Sequence, residues 1–354
     1  MKRLFLALIL LPSLVQAQFG SYYDSALGLN GQPLRQALHN IIKNNTNIGY
    51  AALWTAYQTS DKKSNGKVWD IYSDNPGQTP PYEFTFVADQ CGTYNNEGDC
   101  YNREHTIPES YFGASEPTRS DLLIVFPTDG FVNNKRSNLA YGKVSNPTWT
   151  SQNGSKLGPN VYSGAPNTTA FEPIDSFKGD LARTYFYYAT RYYSLDAGWS
   201  NWDMAVGAEL KPWAVQMLLE WHQLDPVSQK EKLRNNAAQT IQQNRNPFID
   251  YPQFVDCIWG TGDCSSMVNV GDVSNNIKIS IYPNPATNFI NVRLPFQQNA
   301  TAELIVFDLS GRKIWSEKVP TNEINIETSS WAKGVYVLKC QTEQTITTHK
   351  ISIQ

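Results

Sequence analysis

The chain has only four histidines, and one of them stands among residues that could act with it. His105 follows Glu104 in the run Tyr101-Asn-Arg-Glu-His-Thr-Ile-Pro-Glu-Ser-Tyr-Phe-Gly113, and a second polar run ends with Asn133, Asn134, Arg136 and Asn138. A neutral imidazole with a pKa near ~6.5 can take a proton from water at neutral pH. A carboxylate and an amide oxygen form a sparse, hard donor set, suited to a Mg²⁺ ion that keeps several of its own waters. The chemistry these types support is metal-assisted hydrolysis with an imidazole base. The other three histidines read as structural or solvated: His39 and His222 lie on amphipathic helical runs, and His349 lies near the C-terminal end.

Certain elements must position these groups. Neighbouring residues of an extended strand point to opposite faces. Glu104 and His105 can therefore serve one site only where the strand ends or bends, and Pro108 supplies such an ending. The apolar run from Asp121 to Phe126 predicts a strand leading through Pro127 into a short Asn-rich helix, and Phe84 to Ala88 predicts another strand. Helical spacing marks Leu34 to Ile42, the aromatic run Asp180 to Tyr193, and Val215 to Leu224. It also marks Pro226 to Gln243, with Asp225 placed to cap it and Pro226 in its first turn.

A Glu-His segment, then a strand, then a helix carrying Asn is the layout of a ββα-metal, or His-Me, finger. Here the chain resembles the bacterial endonuclease I family. The matching pieces are Asn102-Arg-Glu-His105, Phe126-Pro-Thr-Asp-Gly-Phe-Val-Asn133 with Arg136 and Asn138, Lys178-Gly-Asp-Leu-Ala-Arg183, Arg245-Asn-Pro-Phe-Ile-Asp250, and Tyr22-Tyr23 to Gly31. The resemblance implies an endonuclease that hydrolyses DNA, and RNA too, without strong sequence specificity, leaving 5′-phosphate ends. It implies one divalent ion, Mg²⁺ with Mn²⁺ or Ca²⁺ as alternatives, held by Glu104 and Asn133, with His105 as general base. Asn133 is chosen because the family's metal-binding Asn follows the strand-ending Pro by about six residues; Asn134 and Asn138 are the alternatives. Arg136, Arg183 and Arg245 are the expected phosphate contacts, since planar guanidinium forks suit paired phosphate oxygens. Arg183 could instead pair with Asp180 at i−3. Leu123 and Ile124 depart from relatives that carry polar residues in this strand.

Two rival readings are weaker. A zinc hydrolase built on Glu104, His105 and Glu109 would need several His or Cys ligands gathered together. A secreted binding module for glycans or adhesion would use the 19 Tyr and 10 Trp, yet aromatics on helices are more often core. Charge favours neither: residues 18–264 hold 19 Lys or Arg against 25 Asp or Glu, a net of −6, and residues 265–354 a net of +1. A broad basic surface for nucleic acid is therefore absent, and the case rests on the site.

Lys2 and Arg3, the apolar run from Leu4 to Leu14 and Val15-Gln16-Ala17 form a signal peptide, so residues 1–17 are expected to be removed. The run is shorter than the ~20 residues that span a bilayer, no later stretch is apolar enough to cross one, and a soluble exported product follows. Cys91 with Cys100 and Cys257 with Cys264 fit disulfides better than a zinc knuckle in that compartment, while Cys340 reads as a buried strand residue. Residues 265–277 are patternless, a linker. Beyond them short alternating runs at Ile277 to Ile281, Phe289 to Leu294, Ala302 to Phe307, Lys313 to Lys318, Val335 to Cys340 and Thr345 to Ile353 predict a small β-sandwich. Tyr282-Pro-Asn-Pro-Ala286, Val306-Phe-Asp-Leu-Ser-Gly-Arg312 and Gly334-Val-Tyr-Val-Leu338 resemble the type IX secretion system sorting domain, which implies the secretion machinery as partner and a secreted or cell-surface location. The expected fold class is α+β: a helix-rich domain at 18–264 containing the finger, then an all-β Ig-like sandwich at 278–354.

Overall fold

The computed structural model describes residues 21–267, 279–294, 302–319, 323–341 and 346–354. The leader 1–17 lies outside them, as does most of the expected linker. The chain divides into two compact units at Val268/Asn269.

The first unit opens with α1 (Gly31–Ile42) and α2 (Leu53–Ser60), followed by the hairpin-like pair β1 (Tyr101–His105) and β2 (Val125–Asp129) and then α3 (Gly130–Arg136). A small antiparallel sheet, β3 (Trp149–Thr150), β4 (Lys156–Pro159) and β5 (Thr169–Glu172), precedes the long α4 (Lys178–Arg191). After the two-residue strands β6 (Ala205–Val206) and β7 (Glu209–Leu210) come α5 (Pro212–Leu224), α6 (Gln229–Gln242), α7 (Pro247–Asp250) and α8 (Gln253–Trp259).

Every residue of α4 is buried, which makes it the axis of the core. Three of its tyrosines are sealed from solvent, and burying an aromatic ring of this size stabilises by roughly 1.5–3 kcal/mol only if its hydroxyl finds a partner. The partners are informative. Tyr185 donates to the carbonyl of Thr106 at 2.7 Å, Tyr187 to Asp121 Oδ2 at 2.8 Å, and Tyr188 to the carbonyl of Gly207 at 2.7 Å. Two of the three hydroxyls thus pin the chain just after β1 and just before β2. The aromatic run is core, not a binding face.

Several boundaries differ from expectation. The segment at Phe84 to Ala88 is a turn, because Asp89 accepts from the Thr85 N–H and folds the chain back. The second strand starts at Val125, not Asp121: Asp121 accepts from the Leu123 N–H through its side chain, and from the Ile124 and Val125 N–H groups through its carbonyl, turning residues 122–124. The strand then continues through Pro127, which a two-stranded ribbon tolerates on an edge. Leu123 and Ile124 are buried in the core. Helix α6 is capped by Ser228, not Asp225, in a complete capping box with Glu231; Asp225 accepts from the Gly179 N–H instead.

The second unit is an antiparallel sandwich. One sheet has the order β11-β10-β13-β14 and the other β12-β9-β8, where β8 is Ser280–Tyr282, β9 Phe289–Arg293, β10 Ala302–Asp308, β11 Lys313–Val319, β12 Glu323–Glu327, β13 Gly334–Gln341 and β14 Ile346–Ile353. Alternate residues such as Ile290 and Val292, and Leu304 and Val306, fill its core, as the two-residue strand period requires. The strand at 323–327 was not among the expected ones, and Cys340 is buried on β13. The cysteines at 91 and 100, and at 257 and 264, are joined.

Candidate active site

Strands β1 and β2 pair antiparallel with Glu104 opposite Phe126 and His105 opposite Val125. Among the described residues the other edge of β1 makes only an isolated bridge, at Tyr101 to Gln90. The rest of that edge forms the floor of an open cleft of about 300 Å³ lined by Asn102, Arg103, Glu104, His105, Asn133, Arg136 and Tyr50, among others. Side chains from both faces of β1 can reach around an unpaired edge, and the strand also ends at His105. Glu104 and His105, on opposite pleats, both line the cleft in this way.

Asn102 and Glu104 face α3. Asp129 caps that helix by accepting from the Val132 N–H at 2.8 Å, and its other oxygen accepts from Gly98 N–H at 2.7 Å. Gly130 begins the helix, and a Cβ there would lie 2.6 Å from the Tyr94 ring; only glycine lets that ring approach. The helix then delivers Asn133, whose Nδ2 donates to Asn102 Oδ1 at 2.7 Å. This bond orients the amide and leaves its oxygen unclaimed within the described protein.

Glu104 is buried, and one oxygen takes both of its hydrogen bonds: Oε1 accepts from Tyr72 Oη at 2.7 Å and from Arg136 Nη1 at 3.1 Å. Tyr72, its proton so committed, accepts from Tyr141 at 2.6 Å. Arg136 also donates to the carbonyls of His105 and Thr106 at 2.8 and 2.6 Å and lies over the Tyr141 ring. Burial pushes the Glu104 carboxyl up to about 7, against the pull of Arg136 and the Tyr72 hydroxyl. Its Oε2 accepts no hydrogen bond from the described protein. Arg136, an expected phosphate contact, is therefore occupied in orienting the carboxylate and closing the end of β1.

His105 faces the other side. Its ring stacks on Tyr50 at 5.6 Å and touches Phe112 at 5.9 Å. Nε2 lies 2.9 Å from the carbonyl of Arg119; a carbonyl only accepts, so Nε2 carries the hydrogen and Nδ1 keeps its lone pair. Burial lowers the imidazole from its ordinary value, with the Arg119 carbonyl opposing, and the ring is neutral at neutral pH. A neutral imidazole of fixed tautomer with an unclaimed nitrogen is fit to be a base.

Two expected phosphate contacts are not brought to the cleft. Arg183 is fully buried and forks onto Glu231, Nε at 2.5 Å and Nη2 at 2.8 Å, with Nη1 donating to the Asp225 carbonyl. Its carboxylate partner is thus Glu231, not Asp180. Arg245 forks onto Asp250 at 2.6 and 2.7 Å. Both neutralise carboxylates that hold helices together. Asn134 and Asn138 do line the cleft. Tyr50, Tyr72 and Arg119 were not among the expected residues: Tyr50 opens the short 3-10 turn before α2 and Tyr72 lies in a turn, both remote from the motif, and only packing reveals them. Asn102 and Arg103 stood inside the motif itself.

An imidazole, a carboxyl group and an amide oxygen thus line one open cleft. Residues 30–253 match the family model for Endonuclease I, and the chain belongs to that family. Residues 280–354 match the secretion system C-terminal sorting domain, which makes this a secreted or cell-surface nuclease. It is 31% identical over 255 residues to an extracellular ribonuclease of Bacillus subtilis (strain 168), covering 70% of this chain and 81% of that protein. An extracellular ribonuclease of Bacillus amyloliquefaciens is 31% identical over 248 residues, covering 68% and 78%. No helix among the described residues is long and apolar enough to cross a membrane.

Proposed function

We propose that the chain is a divalent-metal-dependent endonuclease that cuts DNA and RNA without strong sequence preference and leaves 5′-phosphate ends. The observation that carries this is that Glu104, His105 and Asn133 line one cleft, each with an atom unclaimed by the described protein: Oε2, Nδ1 and Oδ1. Two protein oxygens, one anionic and one neutral, fit Mg²⁺, with Mn²⁺ or Ca²⁺ as alternatives. They fall short of the ligand count of a zinc site, and no group of three His, Cys, Asp or Glu occurs among the described residues. Glu104 and Asn133 would hold the ion. When bound, it supplies Lewis-acid relief of charge on the phosphoryl oxygens.

The chain's own residues do the rest. His105 Nδ1 takes a proton from a water whose oxygen bonds to phosphorus as the P–O3′ bond breaks, and the departing 3′-oxygen is protonated from solvent. Arg119 fixes the tautomer through its carbonyl, Tyr50 and Phe112 hold the ring, and Arg136 with Tyr72 holds the carboxylate. A water nucleophile makes no use of a 2′-hydroxyl, so the same site serves both nucleic acids; the ribonuclease names of the Bacillus proteins agree for RNA. No base-reading element such as a helix-turn-helix accompanies the cleft. The test is cleavage of plasmid DNA and of a structureless RNA with Mg²⁺, with excess EDTA, and with His105→Ala. Products that a ligase rejoins without prior phosphorylation are expected; full activity in EDTA, or in His105→Ala, would overturn the reading.

A further inference from the structure

An acidic unit that binds a polyanion needs a local cation, and the arginines around this cleft are nearly all spoken for. Arg136 is neutralised by Glu104, and Arg119 lies 2.5 Å from Glu109. Arg103 is the exception. It lines the cleft, and among the described residues it pairs with no carboxylate. Its Nη1 donates to the carbonyl of Tyr50 at 2.9 Å, and its guanidinium lies 3.5 Å over the Tyr50 ring and 4.6 Å from the Trp54 ring. Nε and Nη2 find no acceptor in the described protein and are not among the sealed, unpartnered atoms. Two aromatic rings fix the plane of the fork, so little of its freedom is left to lose when it meets an oxyanion. The ring beneath it is the same Tyr50 ring that stacks on His105, two residues along the same face of β1.

We propose that Arg103 is the substrate-binding residue that takes the non-bridging phosphate oxygens of the nucleic-acid backbone beside His105, with Tyr50 as the shared spacer that sets their separation. This rests on the nuclease reading above and adds to it the residue that receives the substrate's charge. The competing role is purely structural: Arg103 would brace Tyr50, and through it the imidazole, without touching substrate.

Salt dependence separates the two, because each phosphate contact releases counterions while a brace releases none. The full mature chain carrying His105→Ala, expected to cleave far more slowly, is titrated in EDTA with a fluorescein-labelled single-stranded DNA from 50 to 300 mM KCl. Arg103→Gln in that background is expected to weaken binding about ten-fold at low salt, the size of one charge-assisted hydrogen-bonded contact. The slope of log K against log salt should flatten by about 0.7. Arg103→Lys, which keeps the charge, should restore the slope but only part of the affinity. In the cleaving protein the same Gln variant should raise KM more than it lowers kcat. An unchanged slope and affinity in Arg103→Gln, or a loss confined to kcat, would overturn the proposal; if the Gln variant does not fold, an affinity in Arg103→Lys equal to the parent's does the same. Failure of the nuclease reading would look different: the wild-type chain would not cut at all, whatever the binding data.

Discussion

Hydrogen bonding engages one side of both His105 and Glu104 and leaves the other side unclaimed within the described protein. The His105 imidazole spends Nε2 on the Arg119 carbonyl and keeps Nδ1, and Glu104 spends Oε1 and keeps Oε2. Replacing His105 by Ala is expected to lower kcat by about 10²–10⁴-fold, the usual worth of a positioned base, while circular dichroism and thermal unfolding stay close to wild type. Tyr72 acts through Glu104 and not on substrate. Tyr72→Phe removes one of the two bonds that orient the carboxylate, so the Mg²⁺ concentration for half-maximal rate should rise by about ten-fold, with kcat at saturating Mg²⁺ nearly unchanged. A fall in kcat at saturation with no change in the Mg²⁺ requirement would contradict that role.

Two elements are held by buried arginines. Arg136 ties α3 to the end of β1 through the Glu104 carboxylate and two carbonyls. Breaking a buried pair from one side leaves an uncompensated charge, at a cost of about 3–5 kcal/mol. Arg136→Met should shift the urea midpoint accordingly and abolish activity with it. The second element is α6, whose capping box joins Ser228 to Glu231 while Glu231 also holds Arg183 of α4. Ser228→Ala should cost about 1 kcal/mol in urea unfolding, leaving cleavage rates unaltered, because α6 touches the site only by bracing the turn before β2. Arg234 does that bracing, donating to the carbonyl of Leu122 in the turn and, at 2.9 Å, to that of Val125 where β2 begins.

Among the described residues each of the two units has its own hydrophobic core. A chain ending after Met267 is expected to cleave with the kcat/KM of the full protein, and loss of activity on removing residues 268–354 would count against that division. One source of acid sensitivity lies in the first unit. His222 Nε2 lies 3.1 Å from the Pro252 carbonyl and Nδ1 lies 3.3 Å from Arg183 Nη1, so the ring is neutral, donating once and accepting once. Burial, and then the Arg183 charge, push it down to about 4. Above pH 6.5 the imidazole is neutral folded or unfolded and its contribution is full. As pH falls from 6.5 to 4 the unfolded chain takes up the proton and the folded one does not, so stability drops across that window. The shift corresponds to about 2 kcal/mol once solvent screening of a partly exposed ring is allowed for. The difference in urea midpoint between pH 7 and pH 4.5 should shrink in His222→Gln, and an equal difference in both proteins would refute the linkage.

The order of the motifs carried a great deal by itself. Asn-Arg-Glu-His, a strand, a Pro and an Asn-bearing helix are contiguous in the chain, and local rules of strand ends and helix starts suffice to bring Glu104, His105 and Asn133 toward one another. The sandwich of the second unit is equally local, since two-residue alternation and turn residues lie along the text. The fate of the arginines is not local. Whether a guanidinium is free for phosphate or consumed by a carboxylate depends on which acid packs against it, and Glu231 reaches Arg183 from 48 residues away. Tyr50 and Tyr72 likewise meet His105 and Glu104 only because the fold lays two separate turns against β1. Sequence determined which atoms could do the chemistry; packing between distant segments decided which of them remain unclaimed.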